Sequence, residues 1–387
     1  MIDRLLNMKK IRLVLCAIGV LSGCAGAGGQ AKPDWIDGVS VAYPSRQYLV
    51  GVGQAENRAV AEGHAYAAVA RIFKAEVSAQ AKDWESYLLI EQRGHSSEER
   101  RLTLDNLTRV STDKVLENVR IVDRWVDRHN GVHYALAGMH RPQAETSFME
   151  KITELDRSIS DDVEEAHRPS DKLAKVRALR RATRSLVLRE TYNADLRVIR
   201  PSGQGTAATY RVSELTHELE QFLATNLVLA VSVTGDQVEP AQRALIEGLL
   251  KEGLQVTSRP WSGERLLGGD SSGPPPELLL RGVVRVWPMD VRDPQFKFVR
   301  WCSDFEVVDL ASQRVVGALS KGGKEGHLSD REAIAKAVRV MQQEFAADVA
   351  KAIAAHVYGE AELPAQASQP AGCPRDGQGS APASATH

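Results

Sequence analysis

Two hydrophobic periods alternate along the chain. Residues 46–53 follow the strand period, with Tyr48, Val50 and Val52 on one face. A helix then opens at Glu56-Asn57 and runs to about Lys82, carrying Ala59, Ala61, Ala65, Ala68 and Ile72 on a shared side. Such small side chains let a helix lie close on a sheet. Between 84 and 113 the pattern is ambiguous: Tyr87 to Ile90 fits strand or helix, and Gly94-His95-Ser96-Ser97 marks a turn. Val119 to Asp127 and Val132 to Met139 then form a hairpin around Asn130-Gly131, a dipeptide that accepts positive φ at both turn centres. In its first arm Val119, Ile121, Asp123 and Trp125 alternate with Arg120, Val122, Arg124 and Val126.

From 145 to 200 the period is helical. Phe148, Ile152, Leu155 and Ile159 share one stripe, and Leu173, Val176, Leu179 and Leu186 another. Arg177, Arg180, Arg181, Arg184 and Arg189 interleave with the second stripe and read as a solvated face with acidic partners. Beyond 210 strands and helices alternate. Leu227 to Val233 is a buried strand, Glu239 to Lys251 a helix ending at Gly253, and Leu254 to Thr257 a strand. Gly268 to Pro276 is a loop, and Leu278 to Trp287 a strand stopped by Pro288. Trp301 to Leu310 and Arg314 to Leu319 make a hairpin through Ala311-Ser312-Gln313. Ser329 caps a last helix with the stripe Ile334, Val338, Met341, Phe345, Val349 and Ile353. From 360 onward Ala, Pro, Gln, Ser and Gly dominate and no apolar period survives, which predicts a disordered tail.

The sum is an α+β chain: a small sheet-plus-helix domain, a helical connector, then a second mixed α/β domain. The boundaries read 1–24 for a targeting segment, 25–32 for a Gly/Ala tether and 33–145 for the first domain. The connector is 146–209, the second domain 210–358 and the tail 359–387.

The targeting segment changes where this architecture is placed. Met8-Lys9-Lys10-Ile11-Arg12 is a basic start and Leu13 to Leu21 an apolar run too short to span a bilayer. Leu21-Ser22-Gly23-Cys24 follows, in the form of a bacterial lipobox, so Cys24 is the expected lipidation site. Two or more acyl chains, palmitate among them, would anchor the protein firmly. Ala25 rather than Asp favours the outer membrane, by resemblance to the sorting rule of enteric-type bacteria. Cleavage removes Arg4, Lys9, Lys10 and Arg12 with Asp3, leaving a mildly acidic chain. Cys16 leaves with the signal, so Cys302 and Cys373 remain, able to pair in an oxidising compartment.

The whole sequence of 387 residues carries 49 Lys plus Arg against 50 Asp plus Glu, with 5% aromatics. A basic nucleic-acid binder or a base-stacking platform is disfavoured. Gly51-Val52-Gly53 lacks the third glycine and the Lys of nucleotide loops, and reads as close helix packing. Gly322-Gly323-Lys324-Glu325 fails the same spacing and reads as a flexible turn. His129, His133 and His140 straddle the hairpin and predict no metal site; no nucleophile elbow or zinc helix occurs. Asp161-Asp162 and Glu164-Glu165 sit on a solvated helix.

Three segments in order carry a family resemblance: Pro33-Asp34-Trp35, Tyr48-Leu49-Val50-Gly51-Val52-Gly53 leading into the Ala-rich helix, and Val122 to Asp127 paired with His133 to Ala137. Together, over 33–145, they resemble the LPP20-type bacterial lipoprotein family and the amino-terminal domain of flagellar assembly protein T. Phe305 to Leu310 with Arg314 to Gly317 more loosely resembles an α/β domain. That domain occurs in flagellar protein T, in the curli secretion lipoprotein and in the lipoprotein activator of penicillin-binding proteins. The resemblance implies an envelope protein with no known catalytic site, sometimes tied to the flagellar basal body.

The expected function is therefore that of a non-catalytic lipoprotein on the periplasmic face of the outer membrane. It would act as a scaffold or assembly factor, with the flagellar basal body as the most concrete setting. The alternative is a regulator of peptidoglycan synthesis that binds a cell-wall synthase. Expected partners are outer-membrane lipid through Cys24 and periplasmic proteins of either machinery, with no nucleic acid and no cofactor; a homo-oligomer fits either role. Trp125 and Arg124 are the candidate binding residues. Sharing a face with Val119 and Ile121, Trp125 is expected to be core with the arginines as the exposed row; turned outward, it would be a partner or peptidoglycan contact.

Overall fold

Gly51 and Gly53 decide how the first layer packs. They lie on strand β1 (Tyr48–Ala55), under helix α1 (Arg58–Gln80). A Cβ on Gly51 would sit 2.8 Å from the Ala65 carbonyl oxygen, and one on Gly53 2.2 Å from that of Ala61. The helix backbone therefore rests almost directly on the strand. Its buried stripe is Ala61, Ala65, Val69, Phe73 and Val77. The stripe is rotated from the one predicted: Ala59 and Ile72 are exposed, because the contact follows the two glycines. The Asn57 carboxamide caps the helix by accepting from the Val60 N–H.

The structure, a computed structural model, describes residues 31–80, 84, 97–168, 171–257, 261–262, 265–266, 275–291 and 295–365. The targeting segment with Cys24, nearly all of the tether, Tyr87 to Ile90, Gly94 to Ser96, most of the Gly268 to Pro276 loop, Cys373 and the tail after 365 lie outside these residues.

Helix α2 (Ser97–Glu117) fills the end of the stretch that is ambiguous in sequence. It leads into β2 (Val119–Val126) and β3 (His133–His140). The antiparallel order is β1-β3-β2, with β2 at the edge. In the hairpin loop the Gly131 N–H donates to the Asp127 carbonyl, and only Gly131 takes positive φ (73°); Asn130 does not. The loop is thus wider than the two-residue turn that Asn-Gly predicts.

Helices α3 (Arg141–His167) and α4 (Lys172–Ile199) form the connector. Phe148, Ile152, Leu155 and Ile159 are buried at the predicted spacing. Helix α4 has 28 residues, about 42 Å of rise. It belongs to both hydrophobic cores: Val176, Ala178 and Leu179 pack with the second module, and Ala182, Leu186, Val187, Tyr192 and Leu196 with the first. The arginine row is accordingly not one solvated face. Arg181 is exposed and pairs with Asp162 and Glu165, but Arg180 is buried and Arg189 wholly so. A helix packed on several sides leaves little surface for water. Arg189 is held by Asp156 and Glu190, and donates to the Thr206 and Ala207 carbonyls.

Helix α5 (Val212–Asn226), unforeseen in sequence, precedes the second sheet. There β4 (Val228–Gly235) pairs in parallel with β5 (Gln255–Val256) and β6 (Leu278–Met289). An antiparallel run of β6, β7 (Lys297–Asp309) and β8 (Arg314–His327) completes the order β8-β7-β6-β4-β5. Trp261–Ser262 and Arg265–Leu266 form a separate short ribbon. Helix α6 (Val238–Lys251), ended by Gly253 at φ 80°, covers one face of the five-stranded sheet. With it lie α7 (Asp330–Val340), capped by Ser329, a π turn (Met341–Phe345) and α8 (Ala346–Val357).

Three expectations fail here for physical reasons. Strand β6 continues through Pro288. The Val284 carbonyl and Val286 N–H face Asp236 at the end of β4, so the missing Pro288 N–H, of the same parity, points past β4 where no strand continues. Gly322 to Glu325 is not a turn but part of β8. Its glycines admit rings: a Cβ on Gly323 would lie 2.7 Å from the Trp301 indole nitrogen, and one on Gly326 2.5 Å from Phe298. The tail expected to be disordered from 359 begins with a packed segment. Leu363 is buried against Gly317, and the Pro364 carbonyl accepts from the Ala318 N–H at the sheet edge.

Candidate functional site

A bulge at Val122 sets the geometry of the first module's exposed end. The β2–β3 register shifts between Ile121 and Asp123, so two residues of β2 oppose one of β3. Before the shift, Val119 and Ile121 face α1, opposite Met139 and Ala137. After it the parity inverts. Arg124, opposite Ala135, now faces α1, where it donates to Glu62 at 2.6 Å. Trp125, opposite Tyr134, stands on the other face of the sheet and is partly exposed. Trp125 therefore does not share a side with Val119 and Ile121, and the expectation that it is core fails because one inserted residue reverses the alternation.

The bulge is itself held from outside. Tyr43 donates its hydroxyl to the Val122 carbonyl at 3.0 Å, and the Trp35 indole N–H donates to the Asp123 carboxylate at 2.7 Å. The segment 33–47 is thereby pinned to the sheet face that carries Trp125. Between these two pins the chain turns at Gly38 (φ 88°) and leaves Val39 72% and Val41 88% exposed, the highest values among the large apolar residues described.

Around the hairpin's outer end lies an open cavity of about 690 Å³. Its floor is the tilted pair of Trp125 and Tyr134, with ring centres 5.5 Å apart. Lys32, Arg58, Arg124 and Arg128 line it, together with His129 and His133, against the one carboxylate Asp127. Arg58 and Arg124 both bond Glu62, which holds its carboxyl below the usual range. Lys32 pairs with Asp37. Arg128 is exposed and makes no ion pair among the described residues. The arrangement can offer an aromatic platform and positive charge to a ligand. Among the described residues no group of three His, Cys, Asp or Glu stands ready for a metal, and His140 instead packs its ring on Tyr48.

Of the site residues predicted from sequence, Arg124 and Trp125 line one cavity from opposite faces, while Cys24 lies outside the described residues. Sequence reading missed Lys32, Arg128, Tyr134, Val39 and Val41. Tyr134 could have been found from the hairpin register once the bulge was known. The bare valines between Gly38 and Tyr43 were a legible signal: apolar residues with no period to bury them.

Cys302, on β7, is buried and disulfide-bonded. Its partner lies outside the described residues, as do all three other cysteines of the chain.

Among the described residues no helix is long and apolar enough to cross a membrane. Residues 33–140 match the family model described as LPP20 lipoprotein. No curated protein matches the chain. Among solved structures the chain is similar to a secreted protein of Helicobacter pylori, at 12% identity and TM-score 0.35, covering 79% of this chain and 97% of that one. It is also similar to a minor lipoprotein of Acinetobacter baumannii, at 11% identity and TM-score 0.24, over 33% of this chain and 93% of that one. The rare lipoprotein B of Shewanella oneidensis matches at 11% identity and TM-score 0.21, over 33% of this chain and 89% of that one.

Proposed function

We propose, from the premise of an LPP20-type lipoprotein domain over residues 33–140, that this protein is a non-catalytic scaffold of the cell envelope. In this reading Cys24 carries the lipid, the outer membrane is the site of anchorage, and the chain faces the periplasm. The observation that supports it best is α4. One helix of about 42 Å contributes to both cores. It is tied to the second module by Arg180, which pairs with Glu360 and stacks over the Tyr358 ring. Lys172 reaches Glu277 beside β6, and Arg177 donates to the His356 carbonyl. At the far end Arg141 bonds the Val198 and Ile199 carbonyls and the Ser45 carbonyl. Such a spine transmits position rather than chemistry: it holds the second module at a fixed distance from a lipid-anchored first module.

In the flagellar setting the second module would meet a basal-body component. Crosslinking intact cells, purifying the lipidated protein and identifying its companions by mass spectrometry tests this. Enrichment of flagellar ring components is expected, together with lost motility at normal cell shape on deletion. Enrichment of cell-wall synthases instead would move the assignment to regulation of peptidoglycan synthesis. Loss of a defined catalytic turnover on deletion would overturn the scaffold reading altogether.

A further inference from the structure

We propose that the face carrying Trp125, Tyr134, Val39 and Val41 docks on the anionic lipid headgroups of the membrane that holds the anchor. The proposal rests on the lipidated-Cys24 reading and deepens it by naming the surface that meets the bilayer. Three independent observations lead there.

The first is reach. Lys32 lines the cavity and lies only eight residues beyond Cys24. A chain spans at most about 3.3–3.6 Å per residue, so Lys32 cannot stand further than about 29 Å from the lipidated residue. The pins from Trp35 to Asp123 and from Tyr43 to Val122 fix the segment that follows Lys32 to this face and no other. Whatever surface holds Cys24 is therefore within that reach of the cavity that Trp125 lines.

The second is composition. Val39 and Val41 are bare to solvent two residues apart, and covering them with an apolar layer would remove their surface from water at a gain. Trp and Tyr favour the level of lipid headgroups, where the ring meets apolar atoms and the polar atom meets water. Trp125 and Tyr134 pack their rings together on the side of the sheet to which the valine-bearing segment is pinned.

The third is charge. Lys32, Arg58, Arg124 and Arg128 line the cavity beside the rings, against Asp127 in its wall and the paired carboxylates Asp37 and Glu62, which leaves one cation in excess on a chain whose formal net charge is -1. A local cationic patch on a mildly acidic protein fits an anionic surface, and basic residues near such a surface each add attraction. Glu62 neutralises part of Arg58 and Arg124, and Asp37 pairs with Lys32, so Arg128 carries the largest share of what remains for lipid. The valines enter the headgroup layer, the rings lie at its level, and the cations meet lipid phosphates.

The test uses the full-length lipidated protein in vesicles of phosphatidylcholine, with or without phosphatidylglycerol, each containing brominated lipid to quench tryptophan near the bilayer. Flotation reports the anchor; quenching reports the docked face. Wild type is expected to float in both vesicles and to be quenched more with phosphatidylglycerol. Trp125→Phe should remove that extra quenching. Arg128→Glu and the double change Val39→Asp with Val41→Asp should each reduce it at least about twofold. All these side chains are exposed or partly so, which keeps the fold intact. A protein that floats but shows the same quenching in Trp125→Phe, or none dependent on phosphatidylglycerol, overturns the docking while leaving the anchor standing. A protein that does not float overturns the anchor itself. Saturable binding of soluble peptidoglycan fragments lost in Trp125→Phe would also overturn the docking, by assigning the same rings to a glycan.

Discussion

The Ser111 hydroxyl donates to the Asp195 carboxylate at 3.0 Å in the packed interior of the first module, and the other carboxylate oxygen has no hydrogen-bond partner. Asp195 is fully buried on α4, and Ser111 comes from α2. Burial pushes the Asp195 carboxyl up to about 8; the Ser111 bond opposes this, and the nearby Glu76 adds to it. The group is thus neutral in the folded protein at neutral pH.

Stability should therefore fall as the medium becomes alkaline. Between the unfolded value of 3.8 and the folded value of about 8 the native state holds a proton that the unfolded chain has lost. The sign follows: stabilisation is full below about pH 4 and declines by up to about 1.4 kcal/mol per pH unit until the folded group ionises. Other carboxylates act in the opposite sense in acid, so the clean window is pH 6 to 9, roughly. Asp195→Asn keeps the acceptor for Ser111 and cannot ionise. Thermal melts should show the variant flat across that window where the parent declines. Parallel curves would refute the assignment.

Gly53 should tolerate no side chain. In Gly53→Ala the new Cβ would stand 2.2 Å from the Ala61 carbonyl and the Ala65 nitrogen, both backbone atoms that cannot turn aside. The helix must lift from the sheet, at a cost of about 1–3 kcal/mol or more. Gly63 provides the control: it lies on the same helix, and a Cβ there would meet nothing within 4 Å, so Gly63→Ala should be neutral or stabilising. Urea unfolding of both variants, compared with the parent, checks the pair; equal midpoints would contradict the packing argument.

Those glycines also show what is legible in the chain. Strand, alanine-rich helix and hairpin can be read because each has one period and one buried side, and Gly51 and Gly53 announce close packing. The LPP20 resemblance rests on the same segments and holds over 33–140. The site is less legible, for local reasons. The bulge at Val122 leaves no mark in composition, yet it moves Trp125 to the opposite face from Val119 and Ile121. The arginines of α4 resemble a solvated row because periodicity reports one helix at a time. It carries no information on how many neighbours that helix will have. Pro288 reads as a strand stop because the rule assumes a partner on both sides.

Arg189 should be the costliest of those arginines to lose. Its guanidinium is fully buried and bonds the Asp156 and Glu190 carboxylates, the Thr206 hydroxyl and the Thr206 and Ala207 carbonyls. Arg189→Ala empties a fully buried site and removes every one of these donors from acceptors that are themselves half-buried or exposed, a loss of charged hydrogen bonds that should cost about 1.5–3 kcal/mol. Arg181→Ala removes only exposed pairs with Asp162 and Glu165 and should cost no more than about 1 kcal/mol. Limited proteolysis should also cut the Arg189→Ala variant sooner in 200–211, the segment that Thr206 and Ala207 anchor. Similar stability losses for the two variants would show that the buried network is not what holds this loop.

The bond made by Cys302 supplies the last prediction. Cys302 sits on β7 between Arg285 of β6 and Gly322 of β8, on the face opposite Trp301 and the helices. It is disulfide-bonded, and the chain has three other cysteines, Cys16, Cys24 and Cys373. If the signal is removed and Cys24 acylated, Cys373 alone is free to be the partner. The packed start of the tail agrees, since Leu363 and Pro364 already hold the chain against β8. Peptide mapping of the mature protein without reductant should therefore recover a Cys302–Cys373 crosslink that reduction releases. The bond closes a long loop, so Cys373→Ser should lower stability by about 2–4 kcal/mol under oxidising conditions and leave the reduced protein unchanged. A free Cys302 thiol in protein isolated from the oxidising compartment would remove both the crosslink and the expected stability difference.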